Sequence, residues 1–478
     1  MGALKNKLVT SVIWTMSGRF LSLFVQLIVT ILISRLLTPY EYGIIGLLNV
    51  FIAIATIILE SGFGIALIQK GNFSRLEASS VFYFNVIVAF VLYLLLYFLS
   101  PYIANFYGIP ELTFYARIVF IIIPINSFAI IQNVLLQKEM NFKKIAMASC
   151  ISAILSGIVG VYMAFAGFGI DALVWQLLTL NTFRSIFLIL AKRWKPLFSM
   201  SIDCLKPLFA FGVNLMLSSL IIVVFNNIYT LIIGKVYTTN DVGKYNQAKR
   251  YEELSSNTIT EVILNVSFPA LVQFKDNIDM LKQGYRKIIS MTVFIVAPAM
   301  LLLILLSDDL FILLLTDKWS GMIPYLKILC IYGMMFPLHQ INNNILKVLK
   351  EGRAIFYLEI FRRVLMIVAI VCTIRISLEA LLMGQIVSTL LIIIVNMFFT
   401  GRLIKYSLRT QILDIIPYYV AAILSGIITF ILTTSISNVY VKLIAIIGIM
   451  VLCYLIICRI LKLIALKEMF TIIKSKIK

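Results

Sequence analysis

The sequence predicts an all-α polytopic membrane protein of about fourteen transmembrane helices. They are expected to form two parallel six-helix lobes around a central cavity, plus two extra C-terminal helices. Three observations predict this. Of 478 residues, 62% are hydrophobic and only 13% charged, with a mean hydropathy of +1.03, which no soluble globular class matches. Apolar runs of ~20 residues, enough to cross a bilayer, recur along the whole chain. Finally, Leu32-Ile33-Ser34-Arg35 … Thr38 … Glu41 … Gly43 is echoed 200 residues later by Ile232-Ile233-Gly234-Lys235 … Thr238 … Asp241 … Gly243. Matching a base, a threonine, an acid and a glycine at one spacing marks an internal repeat.

Taken in order, the first six spans are expected near 9–37, 43–68, 79–99, 114–136, 145–166 and 170–191. The next six lie near 208–234, 251–272, 288–306, 322–346, 354–374 and 378–400, and the last two near 415–434 and 440–461. Pro124, Pro298 and Pro337 interrupt spans, which packed neighbours tolerate inside a bundle. The first run lacks a small-residue cleavage site and is too long for a signal peptide, so it is expected to stay as a helix. The echo pairs span one with span seven. Both run in the same direction, so the halves are parallel repeats. The expected division is 1–195 for the N-terminal lobe, 196–207 for a connector, 208–405 for the C-terminal lobe, and 406–478 for two added helices and a basic tail.

The net charge of +20 belongs to topology. With the N-terminus inside, about 27 bases fall on one side and about 8 on the other. This positive-inside asymmetry is expected to place both termini in the cytoplasm. A nucleic-acid partner is excluded, because the bases form no continuous stripe. Cysteines 150, 204, 330, 372, 453 and 458 lie in or beside apolar runs without a CxxC pair, as packed thiols do, and no metal site is expected.

Charges at bilayer depth cost at least ~2.5–3.5 kcal/mol each, so every one needs a reason. At ~1.5 Å per residue, Arg19 lies roughly 15 Å deep, and Glu60, Arg184, Arg362 and Arg363 at about 12–14 Å. Four bases and one acid at one height leave a positive surplus. Arg363 follows Glu359 by four residues, a favourable helical ion pair, and is expected to be structural. Arg362 points about 100° away and is expected to lack that partner. Arg19 either pairs with Glu60 or binds an anion while Glu60 exchanges protons. Arg184 either snorkels to the interface or joins the layer. His339, the lone histidine, is read as hydrogen-bonded packing. Glu252 and Glu253 are placed near the outer face. Asn214, Asn226, Asn342, Asn343, Trp175 and Gln176 are either helix-to-helix ties or the lining of a wet chamber suited to hydroxyl-rich cargo. The run of Asn342, Asn343 and Asn344 covers too wide an arc to face one neighbour. No P-loop, HExxH or GxSxG occurs, so no enzymatic activity and no cofactor are expected. The driving force must then be an ion gradient, with H+ or Na+ as candidates, the membrane potential or the cargo gradient.

Arg35-Leu36-Leu37-Thr38-Pro39-Tyr40-Glu41-Tyr42-Gly43 resembles the end of the first helix in bacterial polysaccharide flippases. These are the O-antigen and colanic-acid type exporters of the multidrug/oligosaccharidyl-lipid/polysaccharide superfamily. Glu60-Ser61-Gly62-Phe63-Gly64, Asn105-Phe106-Tyr107-Gly108, Met140-Asn141-Phe142 and Phe211-Gly212-Val213-Asn214 are similar too. The resemblance implies two six-helix lobes, alternating access, and an undecaprenyl-diphosphate-linked oligosaccharide moved to the outer leaflet for surface polysaccharide export. It implies as partners that lipid-linked substrate, the membrane lipids, and the polymerase and chain-length machinery. A diphosphate crossing hydrocarbon needs sheltered cations, and arginine grips phosphate with a planar fork. Arg19 and Arg362, then Arg184, are the expected diphosphate ligands, with Glu60 for ion coupling. The rivals are an ion-coupled multidrug extruder, a lipid II flippase and a non-transporting scaffold. A net basic layer counts against cationic drugs, and buried arginines have no use in a scaffold.

Overall fold

The computed structural model describes residues 2–60 and 63–469, with the side chains of 2–13, 15, 16, 19, 65, 69, 208, 210, 211 and 266 left aside. All regular elements among the described residues are helices. They are α1 (Gly2–Leu36), α2 (Pro39–Glu60), α3 (Phe63–Lys70), α4 (Arg75–Tyr107), α5 (Leu112–Val119), α6 (Ile122–Ser127), α7 (Ile130–Lys138), α8 (Phe142–Phe165) and α9 (Ile170–Ala191). There follow α10 (Ile202–Asn226), α11 (Ile228–Val236), α12 (Thr239–Gln273), α13 (Ile278–Leu315), a 3-10 segment at Asp317–Met322, α14 (Ile323–Val348), α15 (Gly352–Thr373), α16 (Leu378–Leu403), α17 (Leu408–Thr433) and α18 (Val439–Ile460).

Among the described residues, nine helices are long and apolar enough to cross a membrane, or eleven if two bent pairs each make one span. Those pairs are α5–α6 with α7, bent by 42°, and α10 with α11, bent by 45°. Helices α12 and α15 are long enough but more polar, and the apolar stretch described for α1 is only Phe20–Leu36. Counting these three, the architecture is compatible with fourteen crossings. The chain is therefore a multi-pass membrane protein.

Local chemistry sets the helix ends. Thr38 precedes Pro39 at the first position of α2, where proline's missing N–H costs nothing. The Glu41 carboxylate reaches back to accept from the Thr38 backbone N–H at 2.5 Å and from its hydroxyl. Thr238 and Asp241 repeat this at α12, with the hydroxyl donating at 2.7 Å and the backbone N–H at 3.3 Å. Ser74 and Glu77 form a reciprocal capping box on α4, which ends at Gly108 with φ 69°.

The chain divides into two compact units, residues 1–243 and 244–478. The division falls at Gly243, past the expected connector at 196–207, because α10 packs on α2, α3 and α4 and α11 packs on α2 and α4. In the first unit α1 lies along α8 and α8 along α9. Small residues allow this: a Cβ on Gly18 would strike Ala146, and one on Gly157 would strike Val29. In the second unit α13 packs on α14, α17 and α18, while α14, α15 and α16 pack together. Its core joins Leu281, Ile289 and Ala297 of α13 to Ile341 of α14, Tyr418 of α17 and Cys458 of α18.

The two echoed segments meet. A Cβ on Gly43 would collide with the carbonyl oxygen of Thr239, and one on Gly243 with that of Pro39. Each contact is the other shifted by the repeat interval, so the two openings cross reciprocally, backbone against backbone.

Candidate functional site

The first unit carries its acid at a helix end. Glu60 closes α2 and lines a cavity of about 150 Å3 with Asn133 and Gln137 of α7 and Ser219 of α10. Gly64 opens α3 beside it, with Val134 of α7 just 3.0 Å from where a Cβ would stand. The Asn133 Oδ1 is buried and has no hydrogen-bond partner among the described residues. Arg184 of α9 is exposed in the isolated chain and lies near enough for its charge to act on the Glu60 carboxylate. No ion pair joins them among the described residues. The Arg19 side chain, and with it the expected pairing with Glu60, lies outside the described residues; the acid's described cationic neighbour is Arg184. Asn126 donates to Asn181 at 3.1 Å, tying α6 to α9.

The other polar candidates of this unit separate by exposure. Trp175 is 48% exposed, and Asn214 and Asn226 are exposed as well. The Gln176 stem is spent on packing, because its Cβ sits 2.9 Å from where a Cβ on Gly160 would be.

The second unit holds a denser cluster, where α14, α15 and α16 meet. Glu359 of α15 accepts from Arg362 through Nε at 3.1 Å and Nη2 at 3.0 Å. Arg363 stands at 3.9 Å from the same oxygen. The expectation that Arg362 lacks a partner is therefore corrected: the three-residue spacing, not the four-residue one, makes the closer pair. The reason is tertiary. The other Glu359 oxygen is turned to α14, where Asn343 donates to it at 3.1 Å and His339 Nε2 lies 3.5 Å away. That orientation brings the remaining oxygen over Arg362. Two guanidinium groups against one carboxylate still leave a positive surplus.

Asn342 is a second correction to the chamber lining. It is 0% exposed, with its Oδ1 accepting from Tyr285 at 2.8 Å and Thr400 at 2.5 Å. Its amide N–H donates to the Leu338 carbonyl at 2.7 Å. Each such bond contributes about 1 kcal/mol and breaking one leaves a buried orphan, so Asn342 is a tie joining α13, α14 and α16. Asn343 is 8% exposed and engaged with His339 and Glu359.

One further acid is buried. Glu252, read from the sequence only as lying near the outer face, is 2% exposed and accepts from the Ser256 hydroxyl. It packs where a Cβ on Gly333 of α14 would clash with its Oε1. Only Gly333, eighty-one residues on, signalled this, and its meaning needs the fold.

A model of the polysaccharide biosynthesis protein family matches residues 32–324, more than half of the chain. The chain belongs to this family. Curated relatives include the teichuronic acid biosynthesis protein TuaB of Bacillus subtilis (strain 168), 26% identical over 74% of this chain and 73% of the relative. The lipopolysaccharide biosynthesis protein WzxC of Escherichia coli (strain K12) is 24% identical over 77% and 75%, respectively. The succinoglycan biosynthesis transport protein ExoT of Rhizobium meliloti (strain 1021) is 24% identical over 73% and 71%. Among solved structures, the lipid II flippase MurJ in an inward closed conformation aligns with TM-score 0.73 at 18% identity, covering 95% of this chain and 98% of that one. An inward-facing multidrug resistance MATE family transporter aligns with TM-score 0.62 at 19% identity, covering 80% and 94%. At such identities these two establish the fold. Among the described residues, this member of the polysaccharide biosynthesis protein family thus carries Glu60 near Arg184 in the first unit, and Glu359 paired with Arg362 and Arg363 in the second.

Proposed function

We propose that the chain flips an undecaprenyl-diphosphate-linked oligosaccharide from the cytoplasmic to the outer leaflet by alternating access, for surface polysaccharide export. It acts as a transporter and not as an enzyme. The observation that supports the reading is the pair of guanidinium groups, Arg362 and Arg363, that share the single Glu359 carboxylate, on a chain of this family; Arg184 near Glu60 adds a further cation in the first unit. A diphosphate cannot cross hydrocarbon without such groups. We infer two six-helix lobes, 1–195 and 208–405, with 406–478 appended. Arg19, Arg184 and Arg362 receive the diphosphate, and Asn214, Asn226 and Trp175 meet sugar hydroxyls. Glu60, facing its cavity beside the orphaned Asn133 carbonyl, couples transport to H+ or Na+. Both termini lie in the cytoplasm of a bacterial inner membrane, and a polysaccharide polymerase takes up the product.

The relatives named for teichuronic acid, lipopolysaccharide and succinoglycan favour this cargo over cationic drugs and over lipid II. The test is export in a deletion strain. Arg19→Ala and Arg184→Ala should each reduce export at least about tenfold at normal membrane abundance, the ~1.4 kcal/mol equivalent of one lost charge-assisted contact. Normal export at normal abundance in both removes these arginines from the mechanism. Glu60→Gln should flatten the dependence of transport on the imposed ion gradient, and unchanged dependence moves coupling elsewhere.

A further inference from the structure

The lone histidine sits in a setting that packing alone does not explain. His339 is 3% exposed. Its Nδ1 faces the Asn396 amide at 2.7 Å, and its Nε2 faces the Asn343 amide at 3.2 Å and Glu359 Oε1 at 3.5 Å. The carbonyl oxygens of those two amides, Asn343 Oδ1 and Asn396 Oδ1, are buried with no partner among the described residues. Amide oxygen and nitrogen are interchangeable by a half-turn of the side chain. Turning the Asn396 amide over sets its oxygen on Nδ1, where only an N–H satisfies it, while Asn343 keeps its amide nitrogen toward Glu359 Oε1, to which it donates at 3.1 Å. A neutral imidazole has one N–H, and the imidazolium has two. Nδ1 therefore holds the N–H of the neutral ring, and a second proton falls on Nε2, where Glu359 supplies the counter-charge 3.5 Å away.

We propose that His339 is a proton-binding site of the second unit, counter-charged by Glu359 and entered through the cavity that His339 shares with Arg362, Gln385 and Ser388. That cavity holds about 40 Å3, room for about one water beside the ring. The opposite side of the ring is closed by the ties from Asn396 through Thr400 to Asn342 and Tyr285. Amides do not relay protons, so the cavity is the entrance. The charged groups acting on the ring are Glu359 and Arg362 of α15. Arg363 stands behind Glu359, and Glu252 of α12 acts two turns away at Tyr332. From α13 the facing polar group is the Tyr285 hydroxyl, one turn away at Asn342. From α16 they are Gln385, Ser388 and Asn396. When the proton binds, the imidazolium shares the Glu359 carboxylate and Arg362 is held less tightly. The consequence that a proton then readies Arg362 for a diphosphate rests on the function proposed above.

The site is tested without cargo. The full chain, purified with a tag free of histidine and labelled with 15N-histidine, is placed in phosphatidylethanolamine–phosphatidylglycerol nanodiscs, where one imidazole gives the whole signal. The ring nitrogens should titrate once between pH 5 and 9. Glu359→Gln and Arg362→Gln should displace that midpoint in opposite senses by about one pH unit or more, a tenfold change in proton affinity. A ring that stays neutral across the range, or a midpoint that neither substitution moves, overturns the proposal, and the wild-type titration decides this even if a variant fails to fold. Adding undecaprenyl diphosphate separates the two ideas. A shifted midpoint ties the proton to the anion by linkage. Titration that responds to both substitutions but not to the lipid upholds the proton site and removes Arg362 from the cargo path.

Discussion

The two echoed helix openings share their caps and differ upstream. At Thr38–Glu41 and at Thr238–Asp241 the same threonine and acid close the first turn, and Gly43 and Gly243 admit the carbonyls of Thr239 and Pro39. Before them, α1 runs as one helix of 35 residues, whereas α10 and α11 break at Asn226–Asn227 with a 45° bend. Asn227 adds its side-chain amide at 2.9 Å to the Val223 carbonyl, which also accepts the Asn227 backbone N–H at 3.2 Å. Ser34, which donates to Tyr42 at 2.9 Å, becomes Gly234, which lies against Leu47 and Tyr107. The crossing is therefore built symmetrically, while the helices that lead into it are not. A repeat preserves what two copies need in order to meet, and leaves the rest free to specialise.

The largest expected effect comes from filling the crossing. Gly43→Val and Gly243→Val should each destabilise the chain by at least about 1–3 kcal/mol, because the obstacle is a backbone carbonyl that cannot rotate away. Thermal unfolding in detergent should show the two substitutions costing about the same. Their double mutant should cost less than the sum, since one displacement relieves both clashes. A large inequality would break the symmetry claimed for the contact.

A middling effect is expected at the caps. Thr38→Ala and Thr238→Ala each remove a hydroxyl bound to a first-turn acid, worth about 1 kcal/mol. The two losses, read as shifts in unfolding midpoint, should agree to within about 0.5 kcal/mol, and Thr38→Ser should recover most of its loss. The smallest effect serves as a reference outside the repeat. Ser74→Ala opens the capping box with Glu77, whose carboxylate also pairs with Lys70, and should cost about 0.5–1 kcal/mol without altering export.

How far the site was legible follows from the same contrast. Glu60, Arg184 and Arg362 could be picked out because a charge inside an apolar run is conspicuous at any position on the helix. Their partners could not. Glu359 has bases at both helical spacings, and local geometry ranks the four-residue one first. The choice of Arg362 came from His339 and Asn343 on another helix, which orient the carboxylate. Asn342 read as chamber lining because three adjacent asparagines cannot face one neighbour, yet Tyr285 and Thr400 approach from two sides.

By itself, the sequence determined the membrane-spanning class and the short motif, echoed 200 residues on, that marks a repeat. Each of these depends on composition or on residues within a turn or two of one another. Only the tertiary structure decided which guanidinium holds Glu359, that Glu252 is buried against Gly333, and that Gly43 and Gly243 touch the other copy's backbone. Those facts depend on groups tens to hundreds of residues apart, and the energy of a buried charge or a backbone contact is set by whatever helix happens to lie across from it.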